Sequence, residues 1–234
     1  MQDDFNPYAA PATSTMHPRA AEWLGSADPS LQKVAKGLGL IYNGIITMLL
    51  AVIVGGLLMF IMGVAAGGGG AILVLVVAGL AALAGMIMVL VGTLMCLATP
   101  EQTGAKGLIY SSVILSVVGF CLSLIGQFVA NTPISALGTI ASITANILFL
   151  LFLKKLSEFI GAIDLAERAK LLLILMGVTV GFQVVAALGL FIELPMLGLL
   201  GFVVLIVGLV SFFLYLGLLD RLRKAIESGG ASYI

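Results

Sequence analysis

Charge is what this chain has least of. Asp, Glu, Lys and Arg together make up 9% of its 234 residues, against about 25% in an ordinary soluble domain. Eleven basic and eleven acidic side chains cancel to a formal net charge of zero, so the basic footprint of a nucleic-acid binder is missing. The one histidine, His17, lies in the polar N-terminal stretch, which excludes a histidine-based metal centre and serine–histidine chemistry in the apolar body. Two cysteines, Cys96 and Cys121, do not make a disulfide framework. What is abundant is apolar: 61% of the residues are hydrophobic and the mean hydropathy is +1.23. A soluble enzyme and a disordered chain are both excluded, and an integral membrane protein is expected.

A hydrocarbon core of about 30 Å takes roughly 20 apolar helical residues. Six charge-free stretches reach that length: Leu38–Ala65, Ala71–Ala98, Leu108–Ala130, Ile134–Leu153, Leu171–Ile192 and Met196–Leu218. None alternates apolar and polar as a barrel strand would. The expected fold is therefore all-α, a polytopic membrane bundle of six transmembrane helices over residues 29–227. A disordered cytoplasmic tail (1–28) precedes it and a short tail (228–234) follows. Pro29, Pro100, Pro133 and Pro195 each stand where a helix would begin, with Asp28, Thr99 and Thr132 as candidate caps. Gly67–Gly70 reads as a tight turn, since no Lys-Ser or Lys-Thr follows it to make a phosphate loop. The fourth helix should pass the membrane to about Ile160, turn through Gly161–Asp164 and restart near Leu165, Asp164 and Glu167 forming a capping box. The last helix should continue to Glu227. A match at an offset of 63 residues between Phe149–Leu156 and Phe212–Leu219 suggests that hairpins 3–4 and 5–6 are repeats.

All eleven Lys and Arg fall on one side of a six-span threading, and by the positive-inside rule that side is cytoplasmic. Both termini are then inside, in the cell membrane. Tyr42, Tyr110 and Tyr215 sit near this edge as interface aromatics do. The opening Asp3–Asp4 and the Pro- and Ser-containing tail do not read as a cleavable signal, so the tail is expected to be retained. The opening Asn6-Pro7-Tyr8, followed by a multi-span body, resembles uncharacterised small integral membrane proteins of bacteria. The resemblance covers chiefly the first eleven residues and implies no activity.

No Asp, Glu, Lys, Arg or His lies inside a span. Intramembrane ionisable groups usually mark proton and ion pathways, so a coupled transporter and an intramembrane aspartyl or zinc protease are disfavoured. An enzyme is not expected, nor a cofactor or metal. Four amides remain as candidate intramembrane contacts: Asn43, Asn146, Gln183 and Gln127. Asn43 and Asn146 lie at similar depth and would meet if the first and fourth spans were neighbours. The four together differ in depth too much for a selectivity ring. Cys96 and Cys121 differ in depth by about 15 Å, so both should be free thiols. Small residues recur at heptad spacing and should form packing seams: Ser112, Ser116, Gly119, Ser123 and Gly126 in span three; Ser135, Gly138, Ser142 and Ala145 in span four. Span two has Ala78, Ala82, Gly85 and Gly92, and span five Gly177 and Gly181. Seams without chemistry point to a non-enzymatic accessory or assembly subunit. Its partners would be the lipid bilayer and either a second copy or another membrane subunit. The alternative is a facilitator or channel for a small neutral or amphipathic solute, carried by Asn43, Asn146 and Gln183.

Overall fold

The computed structural model describes residues 29–65, 69–129, 132–190 and 197–228, with side chains except at 62–65, 69–71, 132, 183–190 and 197–200. Six α-helices occupy the described residues: α1 (Pro29–Ala65), α2 (Gly69–Cys96), α3 (Lys106–Phe128), α4 (Thr132–Phe159), α5 (Ile163–Leu190) and α6 (Leu197–Glu227). Five of them, α1 to α4 and α6, are long and apolar enough to cross a membrane. The expected span Leu171–Ile192 falls largely on α5 but ends outside the described residues, and the described side chains of that helix end at Phe182. Large apolar side chains such as Leu57, Ile72, Val117, Ile140, Ile174 and Leu205 stand exposed around the bundle, the surface expected of a multi-pass membrane protein. Helices are the form such a surface allows, because each backbone N–H finds its acceptor within its own segment.

Three antiparallel hairpins, α1–α2, α3–α4 and α5–α6, stand in a ring. α4 packs on α5, α6 closes back onto α1, and only the junction of α2 with α3 is slight. The first hairpin is the tightest. A Cβ added at Gly37 would lie 2.6 Å from the Gly92 carbonyl oxygen, and one at Gly92 would lie 2.5 Å from that of Gly37. Seven residues further along, Gly44 and Gly85 repeat the arrangement at 2.6 and 2.7 Å. Beyond them a Cβ at Gly55 would meet the Ala78 Cβ at 2.7 Å. Backbone thus lies on backbone, the close approach that membrane helices use in place of a hydrophobic driving force. The small residues of α2 therefore face glycines of α1.

The α3–α4 seam follows the sequence pattern. A Cβ at Gly126 would lie 2.6 Å from the Ser135 nitrogen, one at Gly138 2.5 Å from the Ser123 Oγ, and one at Gly119 2.6 Å from the Ser142 Oγ. Ser112 Oγ closes the end of the seam by donating to the Ala145 carbonyl at 2.8 Å. The α5–α6 hairpin differs. Gly177 and Gly181 do not form a seam, because a Cβ at either would meet nothing within 4 Å. The hairpins 3–4 and 5–6 therefore pack differently, whatever their likeness in sequence.

Helix ends depart from the sequence pattern in two places. Pro100 opens a short 3-10 helix (Glu101–Thr103) rather than a span, and α3 begins only at Lys106. Thr99 accordingly does not act as a cap: its Oγ1 donates back to the Cys96 carbonyl at 2.6 Å. α4 ends as expected, in a Schellman motif. The Ala162 N–H donates to the Ser157 carbonyl and the Gly161 N–H to that of Glu158, and Gly161 has a φ of +77°. The Asp164–Glu167 capping box is not formed. The Ala162 carbonyl already accepts from Leu165 and Ala166, so α5 starts before Asp164, which falls inside its first turn.

The densest core lies at the end of the bundle that carries the charges. Every helix contributes to it: Leu38, Cys96, Ile109, Phe152, Leu165 and Leu219 are each no more than 2% exposed. Arg223 of α6 lies across Gly39 of α1, where a Cβ would stand 3.2 Å from its Cδ, and donates to Glu227 at 2.8 Å. Among the described residues, all charged side chains belong to this end. Several form exposed pairs such as Lys154–Glu158 and Lys224–Asp220, a kind worth little singly.

Candidate functional site: an intramembrane cavity

Directly above that core the six helices part around a cavity of about 580 Å³, within the range of pockets that hold drug-sized ligands. All six helices line it: Ile41 and Ile45 from α1, Val89 and Thr93 from α2, Ser112 and Ser116 from α3. On the other side stand Asn146 and Phe149 of α4, Met176 and Thr179 of α5, and Ser211 and Tyr215 of α6. On each helix the lining positions recur three or four residues apart, one face of a helix. Gly208 of α6 also lines the wall, and a Cβ there would meet nothing within 4 Å, so its missing side chain widens the space.

Counted from the charged end, the lining residues reach from the first turn of the expected spans to about ten residues in. At 1.5 Å per residue that is about 15 Å, half the hydrocarbon thickness. The floor is the buried core, with Phe149, Leu150 and Leu172 belonging to both floor and wall. The connection between α2 and α3 seals that side further. Thr99 is buried within it, Thr103 Oγ1 donates to the Pro100 carbonyl at 2.8 Å, and Lys106 Nζ donates to Glu101 at 2.7 Å. That bond and the adjacent ammonium hold the Glu101 carboxyl below the ordinary carboxylate range.

The polar groups of the wall divide into two kinds. Thr93, Thr179 and Ser211 donate their hydroxyl protons to the carbonyls of Val89, Leu175 and Val207, one turn back on their own helices, at 2.7 to 2.9 Å. Ser112 gives its proton to Ala145 across the α3–α4 seam. Each of these oxygens keeps only acceptor capacity for the cavity. By contrast, Ser116, Asn146 and Tyr215 have no side-chain hydrogen-bond partner among the described residues. No ionisable carboxylate, amine or imidazole lines the space. Nor is there, among the described residues, a cluster of His, Cys, Asp and Glu that could hold a metal.

Of the four amides singled out in the sequence, Asn146 lines the cavity. Asn43 is exposed on α1 outside the lining, and its backbone carbonyl accepts from Thr47 Oγ1 at 2.8 Å. The two are not brought together, because α1 packs on α2 and α6 while α4 packs on α3 and α5. Gln127 is exposed near the far end of α3, and the Gln183 side chain lies outside the described residues. Both cysteines are free, Cys96 buried in the core and Cys121 exposed on α3. Sequence reasoning missed Thr93, Thr179 and Ser211 as a set and placed Tyr215 at the membrane edge. Their signal was one or two polar residues at matching depth on each of α2 to α6, visible only once the threading puts the helices side by side. Searches of family models, curated proteins and solved structures return no match to this chain, so its geometry alone speaks for the site.

Proposed function

We propose that the protein is a non-enzymatic, six-span membrane protein that takes up a small neutral or amphipathic solute in this cavity. It would be a facilitator or channel whose charged face is shut in this conformation. In this reading the charged end with both termini is cytoplasmic, as the positive-inside rule gives. The observation that carries the reading is the wall itself: partnerless Ser116, Asn146 and Tyr215 beside apolar Ile45, Met176 and Phe212, with no formal charge among them. Ser116 and Asn146 are exposed, so their unmet hydrogen-bonding groups are open to a ligand or water. The test is mass spectrometry of small molecules that co-purify with the chain in mild detergent. A neutral compound should be retained in near-stoichiometric amount and fall about tenfold on Asn146→Leu, the scale of one good hydrogen bond. Purification without any neutral compound, in detergents that keep the bundle folded, would refute the reading.

A second reading, an accessory or assembly subunit, has its own support on α5. Gly177 and Gly181 are exposed and one turn apart, and among the described residues no helix packs on them. They suit the close approach of a helix from another chain. Cross-linking in native membranes should then trap a defined homo-oligomer or a stoichiometric partner, lost on Gly177→Ile. A chain that stays monomeric in both forms would exclude this role.

A further inference from the structure

Resting on the cavity reading above, we infer that the occupant is a neutral, single-chain lipid-like molecule. Its head carries hydroxyl or amide N–H donors, and it is drawn from the bilayer through the cleft between α2 and α3. The head-group chemistry follows from the proton inventory. Thr93, Ser112, Thr179 and Ser211 have all committed their protons to backbone carbonyls, so they offer lone pairs only. Ser116 and Tyr215 add one donor each, and the Asn146 amide adds two to its own acceptor. Acceptors therefore outnumber donors, and a ligand that only accepts would leave most of the wall unmatched. A charged head finds no counter-ion in the lining, and desolvating an unpaired charge there is prohibitive.

The chain-like body follows from the rest of the wall, where aliphatic and aromatic side chains such as Ile41, Val89, Leu172 and Phe212 stand between the hydroxyls. The route follows from the ring. Every neighbouring pair of helices packs substantially except α2 with α3. Val89 and Thr93 on one side of that cleft, and Ser112 and Ser116 on the other, belong to the cavity wall. From the charged face the way is blocked by Leu38, Ile109, Phe152 and Leu219, none of them exposed.

The test uses the full chain in lipid nanodiscs. Dodecylglycerol, which carries two hydroxyls, is offered in competition with its dimethyl ether, which only accepts, and with dodecanoate and dodecylammonium. Bound probe is counted by mass spectrometry. The diol should be retained at least about tenfold over the ether and over both ions. The double substitution Thr93→Val with Ser211→Ala should lower the diol-to-ether ratio several-fold, chiefly through weaker diol binding. Equal retention of diol and ether by the natural chain, or preference for either ion, would overturn the donor assignment. If none of the four probes binds, the single-chain occupant is overturned, while the cavity reading stands or falls separately on the co-purification of a neutral compound. A diol carrying a photoreactive diazirine on its chain should label α2 near Val89 and α3 near Ser116. Label confined to α5 and α6 would overturn the route.

Discussion

At the scale of single residues, glycine does two opposite things here. In α1 and α2 it lets two backbones touch, and in α5 it leaves a gap. A glycine inside a helix normally costs about 1 kcal/mol relative to alanine, so Gly→Ala is stabilising where space is open. At Gly85 the new Cβ would stand 2.7 Å from both the Gly44 carbonyl oxygen and the Met48 Cγ, and the hairpin must spread. Gly85→Ala should therefore lose roughly 1–3 kcal/mol, the usual cost of overpacking. Gly177→Ala, with nothing within 4 Å, should gain up to about 1 kcal/mol. Equilibrium unfolding of both variants in mixed micelles reads the two signs. The partners of the α2 small residues were hard to see in the sequence, because Gly37, Gly44 and Gly55 are unevenly spaced in a helix whose other glycines blur the repeat. The α3–α4 seam was legible because serine and glycine alternate there against a background of large apolar residues. Asn43 and Asn146 show the limit of depth as a guide: equal depth does not specify which helix stands next to which.

At the scale of the elements, the six helices were readable because charge and proline punctuate long apolar runs. Ends were less so. Gly161 advertised its left-handed turn, whereas the start of α5 was decided by the Ala162 carbonyl, a backbone group with no signature of its own. The α2–α3 connection departs furthest from the pattern, since a proline after threonine fits a 3-10 turn as well as a helix start. That connection carries Glu101, whose carboxyl is held below the ordinary carboxylate range by the neighbouring Lys106. Its contribution is therefore present above the unfolded carboxylate value and lost as pH falls through the folded one. The protection of the Thr103–Ala105 amides, read as exchange relative to the intrinsic rate at each pH, should accordingly fall as pH drops from the unfolded carboxylate value through the folded one. In Glu101→Gln the same amides should show no such step, and a step that persists would place its origin elsewhere. The group is exposed, so the effect stays local and small.

At the scale of the whole molecule, packing and charge are concentrated at one end of a ring, and the threading proposed for it makes both chain ends emerge there. Single cysteines at Gln32→Cys and Ser228→Cys, in a background of Cys96→Ala and Cys121→Ala, should both react with a membrane-impermeant maleimide in inverted vesicles and neither in intact cells. Labelling of the two from opposite sides would rule out an even number of crossings. The class of fold was plain from the scarcity of charge, while the cavity was not, because it belongs to no segment: each helix lends it one face of two to four residues. The closing contact of the ring, Arg223 over Gly39, joins the last helix to the first. A ribosome releases these partners at opposite ends of its work, so α1 and α2 must wait in lipid as a glycine-clasped pair until the final turns of α6 are made. Quality control in the cell would then meet an unfinished ring whose floor lacks the Leu218, Leu219 and Leu222 side chains, and nonsense mutations within α6 before Leu219 should yield chains that insert yet are cleared.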